Sequence, residues 1–338
     1  SYNGANRVTS ETDPNGHTTQ YFYDLFGRIV AIRNHLNGPK TFLYDPMGHL
    51  LMAEDELGRR TFWDYDYRGL VEAKIDPASK VTTYAYDDNR NMISMTDPVG
   101  LTTAYEYDDS NRLIKVIQPG GATTQYSYDG ADRLATETDA LGRVTSYVYD
   151  SAGRLLTTQY PNGSSYSYQY DDNGNQTGVT DPLNRTAVTA YDALNRVSTT
   201  TDPLGYVTTQ IYDAASRLVE RKNAANQSVF YSYDAADHMV TFTDGLGHVT
   251  YYAYDAAGNP ITTTSPLGQV TATVYDALNR PVQMNDAAGN STQFVYDAAG
   301  QQTQVVQPTG ATTSYTYDVR GMLTQSTNPL NQSTHYSY

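Results

Sequence analysis

A tyrosine stands at every twenty-first position of this chain, from Tyr2 and Tyr23 to Tyr317 and Tyr338. Fifteen of them are followed by Asp: Tyr23, Tyr44, Tyr65, Tyr86, Tyr107, Tyr128, Tyr149, Tyr170, Tyr191, Tyr212, Tyr233, Tyr254, Tyr275, Tyr296 and Tyr317. A period this strict over 338 residues means one small unit copied along the chain. A unit of that size cannot bury a core alone, so each copy leans on its neighbours. The fifteen tyrosines are therefore read first as a structural ladder, and function as a property of the array.

Counting from the Tyr of each pair, the fourth residue on is Gly, Asn or Asp in most copies, with Gly27, Gly48, Gly153, Gly258 and Gly300 as examples. These residues tolerate positive φ. Asp first and Gly fourth is the pattern of a type I turn closed by a left-handed residue, the three-residue hairpin loop. The Asp carboxylate can accept a backbone N–H two residues on and so fix the turn. A second reversal follows within each repeat, as in Asp202-Pro203-Leu204-Gly205 and Asp181-Pro182-Leu183-Asn184. Pro pre-sets φ there, and Gly or Asn again takes the fourth place.

Between the turns lie two stretches of seven or eight residues, read as strands. Thr123-Thr124-Gln125-Tyr126-Ser127-Tyr128 puts Thr124, Tyr126 and Tyr128 on one face. That face repeats from copy to copy, whereas the residues between vary, as Ser127, Val148, Gln169 and Ile211 show. The outgoing strand begins with an apolar residue such as Leu113, Leu134 or Leu155, placed opposite the Tyr. The expected fold is all-β: 21-residue hairpins forming one long antiparallel sheet that curls into a hollow spiral shell or tube. Residues 1–338 read as one continuous array of about 16 repeats, a segment of something larger. A parallel β-solenoid with one repeat per coil competes, although it does not require hairpin chemistry at both turns. A propeller blade needs about four strands and would make alternate repeats differ, which they do not.

Composition narrows the function. A net charge of −15 with few Leu, Ile, Val and Phe normally argues for disorder. Here 32 Tyr and the abundant Thr supply β-forming bulk at fixed positions. The apolar supply is thin, so a thin wall is expected rather than a solid core. The acidic balance argues against nucleic acid as a partner. No apolar run is long enough for a membrane span, and the absence of Cys excludes a disulfide framework.

Tyr149-Asp150-Ser151-Ala152-Gly153-Arg154-Leu155, followed by Asp-Pro-x-Gly turns, resembles the Rhs or YD repeat. Tyr212 to Leu218 is similar, and the resemblance runs through the whole chain. That family includes bacterial Rhs proteins, wall-associated proteins, shell components of insecticidal toxin complexes, and animal teneurins. The resemblance implies a non-enzymatic structural shell that encapsulates and delivers a polypeptide toxin, secreted or at the bacterial cell surface. The alternative it implies is an extracellular adhesin or fibre wall that binds glycans or cell surfaces. Expected partners are further YD repeats, an enclosed toxin polypeptide, or a surface glycan or receptor. Family toxins carry a protease-like core motif and a variable toxin domain after the repeats, and neither is recognisable here. Asp97-Pro98-Val99-Gly100-Leu101 resembles that core motif but sits in the ordinary turn register.

No catalytic, metal or cofactor site is expected. The Asp residues fall at turn positions, where a structural role suffices. His17, His35, His49, His238, His248 and His335 show no ligand spacing. Asp171-Asp172-Asn173-Gly174-Asn175 hints at calcium but fails the loop pattern, since Gln176 and Pro182 stand where Gly and Glu belong. Arg at the fifth place, as in Arg28, Arg112 and Arg154, is expected to pair with the turn Asp, an interaction worth under ~1 kcal/mol when exposed.

Overall fold

The structure is a computed structural model describing residues 1–36 and 38–338. Among the described residues every regular element is a strand. Thirty-two of them, from Ser10–Thr12 to Ser333–His335, belong to one sheet. Neighbours in sequence pair antiparallel, as in Thr123–Tyr128 with Leu134–Thr138 and then Leu134–Thr138 with Val144–Tyr149. These ladders exclude the parallel solenoid.

The strands are shorter than the seven or eight residues expected. Those entering a Tyr-Asp pair, such as Val144–Tyr149, have six residues apart from Lys40–Tyr44 with five, and those leaving it, such as Leu155–Gln159, have five. The turns take up the rest. In the described turns the first residue, Asp in most of them, commonly bonds through its N–H to the carbonyl four residues on, and the fourth residue's N–H bonds back to its carbonyl, as for Asp150 with Arg154 and Gly153. Five residues are thereby committed to each reversal.

The register holds one surprise. Tyr128 faces Leu134, as the hairpin geometry requires, but Ser127 faces Thr136, leaving Ala135 as an extra residue. The same shift recurs beside Tyr107, Tyr149, Tyr170 and Tyr212. The second hairpin of the repeat has no shift: Thr136, Glu137 and Thr138 face Ser146, Thr145 and Val144. A bulge bends its strand and increases local right-handed twist. Each Tyr-Asp hairpin that carries one therefore contributes its own bend.

Among the described residues no hydrophobic side chain is buried. The accessible surface is 20195 Å², against about 14,000 Å² for a compact monomer of this mass. That excess goes with the lack of a buried apolar core. Along Thr123–Tyr128, Thr124, Tyr126 and Tyr128 are half-buried while Gln125 and Ser127 are exposed. Stability therefore rests on backbone ladders and turn chemistry more than on a core.

Contacts divide the chain into two compact units, one of residues 1–83 with 250–338, the other of residues 84–249. The second is a plain succession of hairpins. The first brings distant repeats together: Asn15 Nδ2 donates to Asp255 Oδ2 at 3.0 Å, and Arg59 Nη1 to Gln301 Oε1 at 3.0 Å.

Candidate functional site

The repeated Tyr-Asp-x-x-Gly-Arg motif is the most specific chemistry in the chain, and its Asp organises the turn. Asp150 Oδ1 accepts the N–H groups of Ala152 and Arg154 at 2.9 Å each, and Oδ2 accepts Arg154 Nε at 2.7 Å. One carboxylate thus satisfies three donors. Asp181, in a second turn, does the same: it accepts Leu183 N, Arg185 N and Arg185 Nε. Hydrogen bonds from the Arg133 guanidinium and backbone N–H hold the Asp129 carboxyl down to about 2. Gly27, Gly48, Gly153, Gly258 and Gly300 have φ of 87°, 100°, 82°, 87° and 85°. Where the place is not Gly, the backbone conformation persists, as at Asn111, Asn195 and Asn279.

The ladder tyrosines end their strands, as Tyr149 and Tyr170 do. The hydroxyls of Tyr23, Tyr65, Tyr107, Tyr128, Tyr149, Tyr170, Tyr191, Tyr212, Tyr233, Tyr275, Tyr296 and Tyr317 donate to the backbone carbonyl fifteen residues earlier, at 2.6 to 3.1 Å. Tyr149, for example, faces Leu155 within its own hairpin and bonds the Leu134 carbonyl of the hairpin before. Tyr44, Tyr86 and Tyr254 likewise end the strands Lys40–Tyr44, Val81–Tyr86 and Val249–Tyr254. Burial pushes the Tyr107 and Tyr296 hydroxyls up.

Arginine links repeats from the other side. Arg133 pairs with its own Asp129 through Nε at 2.8 Å, and its Nη1 donates to the Asp150 carbonyl of the next turn at 2.7 Å. Arg28, Arg154 and Arg217 make the same pair of links. The guanidiniums of Arg28, Arg112, Arg133, Arg154, Arg196, Arg217 and Arg280 lie 4.5 to 5.1 Å from the ring centre of the next Tyr. A guanidinium over a ring face is attracted by its quadrupole. At some places where Arg is replaced another link stands in: the His49 ring stacks on Tyr65 at 4.8 Å, and Asn91 and Asn175 Nδ2 donate to Asn111 and Asn195 Oδ1. Sequence reasoning placed this Arg beside its own Asp and missed its reach to the next repeat.

These groups spend their chemistry on the wall itself. His17, His49, His238 and His248 each lie against the Asp of their own turn through Nδ1. Asp171 accepts Asn175 N and Nδ2, so its oxygens serve its turn. No cluster of three or more acidic, His or Cys side chains suited to a metal occurs among the described residues. Among the described residues no helix is long and apolar enough to cross a membrane. A groove of 630 Å³ between the turns of two adjacent repeats is lined by Glu137, Asp139, Arg143, Tyr160 and Asn162, and its Asp139 is paired with Arg143.

Two family models match the chain: the RHS Repeat, over residues 2–34, 65–103, 91–123, 107–144, 128–165 and 149–186, and the Teneurin YD-shell, over residues 200–338. The chain belongs to the Rhs/YD-repeat family. No curated protein matches it. Among solved structures, the crystal structure of TcdB2-TccC3 aligns with TM-score 0.68 and 16% identity, over 99% of this chain and 24% of that one. A mutant Tc holotoxin pore of Photorhabdus luminescens aligns with TM-score 0.64 and 17% identity, over 94% of this chain and 22% of that one. This YD-repeat chain therefore shares their fold and spans about a quarter of their length.

The hydroxyl link of the YD tyrosine had one signal in the sequence. The place two residues before it accepts Phe42, Trp63, Thr189 and Gln210, yet the ladder place is Tyr throughout. Packing alone would tolerate Phe; a hydrogen bond does not.

Proposed function

We propose that this chain is wall rather than active site: one run of YD repeats, residues 1–338, in a hollow shell that encloses a polypeptide toxin for delivery. The observation that carries the reading is the use of the motif residues. Tyr hydroxyl, Asp carboxylate and Arg guanidinium, which elsewhere do catalysis or binding, are engaged in turn and inter-repeat bonds. The family is a structural shell family, and one of the similar solved structures is a Tc holotoxin pore. The ladder tyrosines and turn glycines are, in this reading, structural residues.

A wall of this kind suits confinement. Backbone ladders hold it without a core, so both faces remain surfaces. On the Tyr and Thr face the ladder tyrosines present rings whose hydroxyls are already bonded, as Tyr128 and Tyr149 show, which leaves them little to grip a passing chain tightly. A cargo held by exclusion rather than by specific contacts can be released when the wall opens.

The test is protease protection of the array in its native polypeptide. Enclosure predicts that a cargo segment survives digestion until the wall is unfolded by acid, then disappears. Digestion of that segment at the same rate before and after acid treatment would overturn the proposal.

A further inference from the structure

In an array this regular, a side chain that breaks the repeat where the fold does not require it is a candidate for a task of its own. Three such breaks meet in one place. The ninth residue after the ladder Tyr is Val116, Thr158, Val179 or Thr200 in nearby copies, but Glu137 in one, and no other copy has an acid there. The first place of the second turn, most often Asp, is Tyr160 in the next copy. The fourth place before the following ladder Tyr, usually Thr, is Tyr166. The turn closes without its Asp: Tyr160 N–H bonds the Ser164 carbonyl at 2.8 Å, and Gly163 N–H bonds back at 2.9 Å. The Tyr160 side chain therefore has no duty in its turn.

The strand ladders bring these residues together. Glu137 faces Tyr126 on one side and Thr145 on the other. Thr158 lies between Tyr147 and Tyr166 and is 6% exposed. The Tyr160 ring stands edge-on to Tyr166, with centroids 6.1 Å apart and planes at 81°. Glu137, Thr145 and Tyr160 line the 630 Å³ groove between the second turns of the two repeats, together with the Asp139–Arg143 pair. That volume suits a small ligand.

Glu137 is the charge in this groove without a counterion. Among the described residues its one hydrogen bond comes from the Tyr147 hydroxyl, at 3.5 Å. Arg143 is committed to Asp139 through Nε at 2.7 Å and Nη2 at 2.6 Å, so that pair is neutral as a unit. Burial first, and the Glu137 charge second, push the Tyr126 and Tyr147 hydroxyls up. A carboxylate bounded by ring faces and neutral hydroxyls attracts a cation, the rings through their quadrupoles and the carboxylate as acceptor of a charged hydrogen bond. The rings also favour an alkyl chain behind that cation over a bare hydrated ion.

We propose that this groove binds a primary ammonium group carried on an alkyl chain. Glu137 accepts its N–H donors, Tyr160 flanks the chain, and Tyr166 positions the Tyr160 ring. Neither Tyr160 nor Tyr166 is a ladder tyrosine, so the site does not compete with the bonds of the wall. The lysine side chain of a polypeptide and a free polyamine share this chemistry. The inference does not depend on the enclosure of a cargo.

Ligand-observed NMR titration of the whole chain with butylammonium tests it, with butan-1-ol as the uncharged probe of the same length. The parent is expected to bind the first and not the second. Glu137→Gln keeps the shape and should weaken binding about tenfold or more. Tyr160→Ala, at a 40% exposed residue, should weaken it about threefold. Asp172→Asn removes the same charge from an exposed turn residue and should bind like the parent. Circular dichroism spectra of the three variants should match the parent. Nα-acetyl-lysine methylamide and spermidine then separate the sources: the one that binds more tightly than butylammonium, and loses that affinity in Glu137→Gln, is the source the site reads. Equal signals from butylammonium and butan-1-ol, parent-like affinity in both Glu137→Gln and Tyr160→Ala, or an equal loss in Asp172→Asn would each overturn the proposal.

Discussion

Gly153 offers a clean measure of what holds a turn. Its φ is 82°, in the left-handed region. A Cβ built there would meet nothing closer than Arg133 Cδ at 4.0 Å, an ordinary contact. Substitution is therefore limited by backbone conformation and not by space. A left-handed L-residue costs roughly 1 to 2 kcal/mol, and a β-branched one sits at the upper end or above. Asn is the exception, and Asn111, Asn195 and Asn279 already adopt φ near 60° (61°, 59° and 58°) at the same place. The expected order is Gly153→Asn closest to parent, Gly153→Ala about 1 kcal/mol less stable, and Gly153→Val about 2 kcal/mol or more. Repeat arrays open locally, so a global melting curve dilutes the effect. Hydrogen exchange at the Asp150 amide, which bonds the Arg154 carbonyl, reads the turn directly. With each ~1.4 kcal/mol worth a factor of ten, Val should speed exchange more than about tenfold. Parent-like exchange in the Val variant, or an Asn variant as fast as Val, would refute the turn reasoning.

Three further perturbations probe the links between repeats. The Asp129 carboxyl has a folded value of about 2 against an ordinary 3.8, so its contribution is complete above 3.8 and is lost as pH falls toward 2. Many turn carboxylates share that direction, among them Asp150, Asp181 and Asp192; far-UV circular dichroism should stay flat down to that range and then fall, whereas loss of signal near neutral pH would contradict it. Tyr149→Phe keeps the ring but removes the 3.0 Å bond to the Leu134 carbonyl; faster exchange in the two hairpins it joins, equivalent to about 1 kcal/mol, is expected, and unchanged exchange would show the hydroxyl idle. Arg154→Lys loses the planar group that bonds Asp150, reaches the Asp171 carbonyl and lies over Tyr170; hydrogen exchange should rise in the Asp171 turn as well as the Asp150 turn, and an effect confined to Asp150 would leave the inter-repeat link without weight.

The hairpins were legible because their causes are local. Asp150, Gly153 and the apolar Leu155 lie within one turn of chain, and each carries its own conformational rule. The bulge at Ala135 was not, since neither its small side chain nor its neighbours distinguish an extra strand residue from a paired one. The Tyr149 to Leu134 bond and the stacking of Arg133 on Tyr149 were hidden for another reason. A periodic sequence offers identical partners one repeat away in either direction, and only geometry selects the repeat. The seam between Arg59 and Gln301 is harder still, because nothing in a perfect period marks which distant repeat will be met.

Cryo-electron microscopy of the native polypeptide that carries this array tests enclosure most directly. A closed wall with polypeptide density inside is predicted. An open or continuous wall with an empty interior would contradict it and turn attention to the outer face as the working surface.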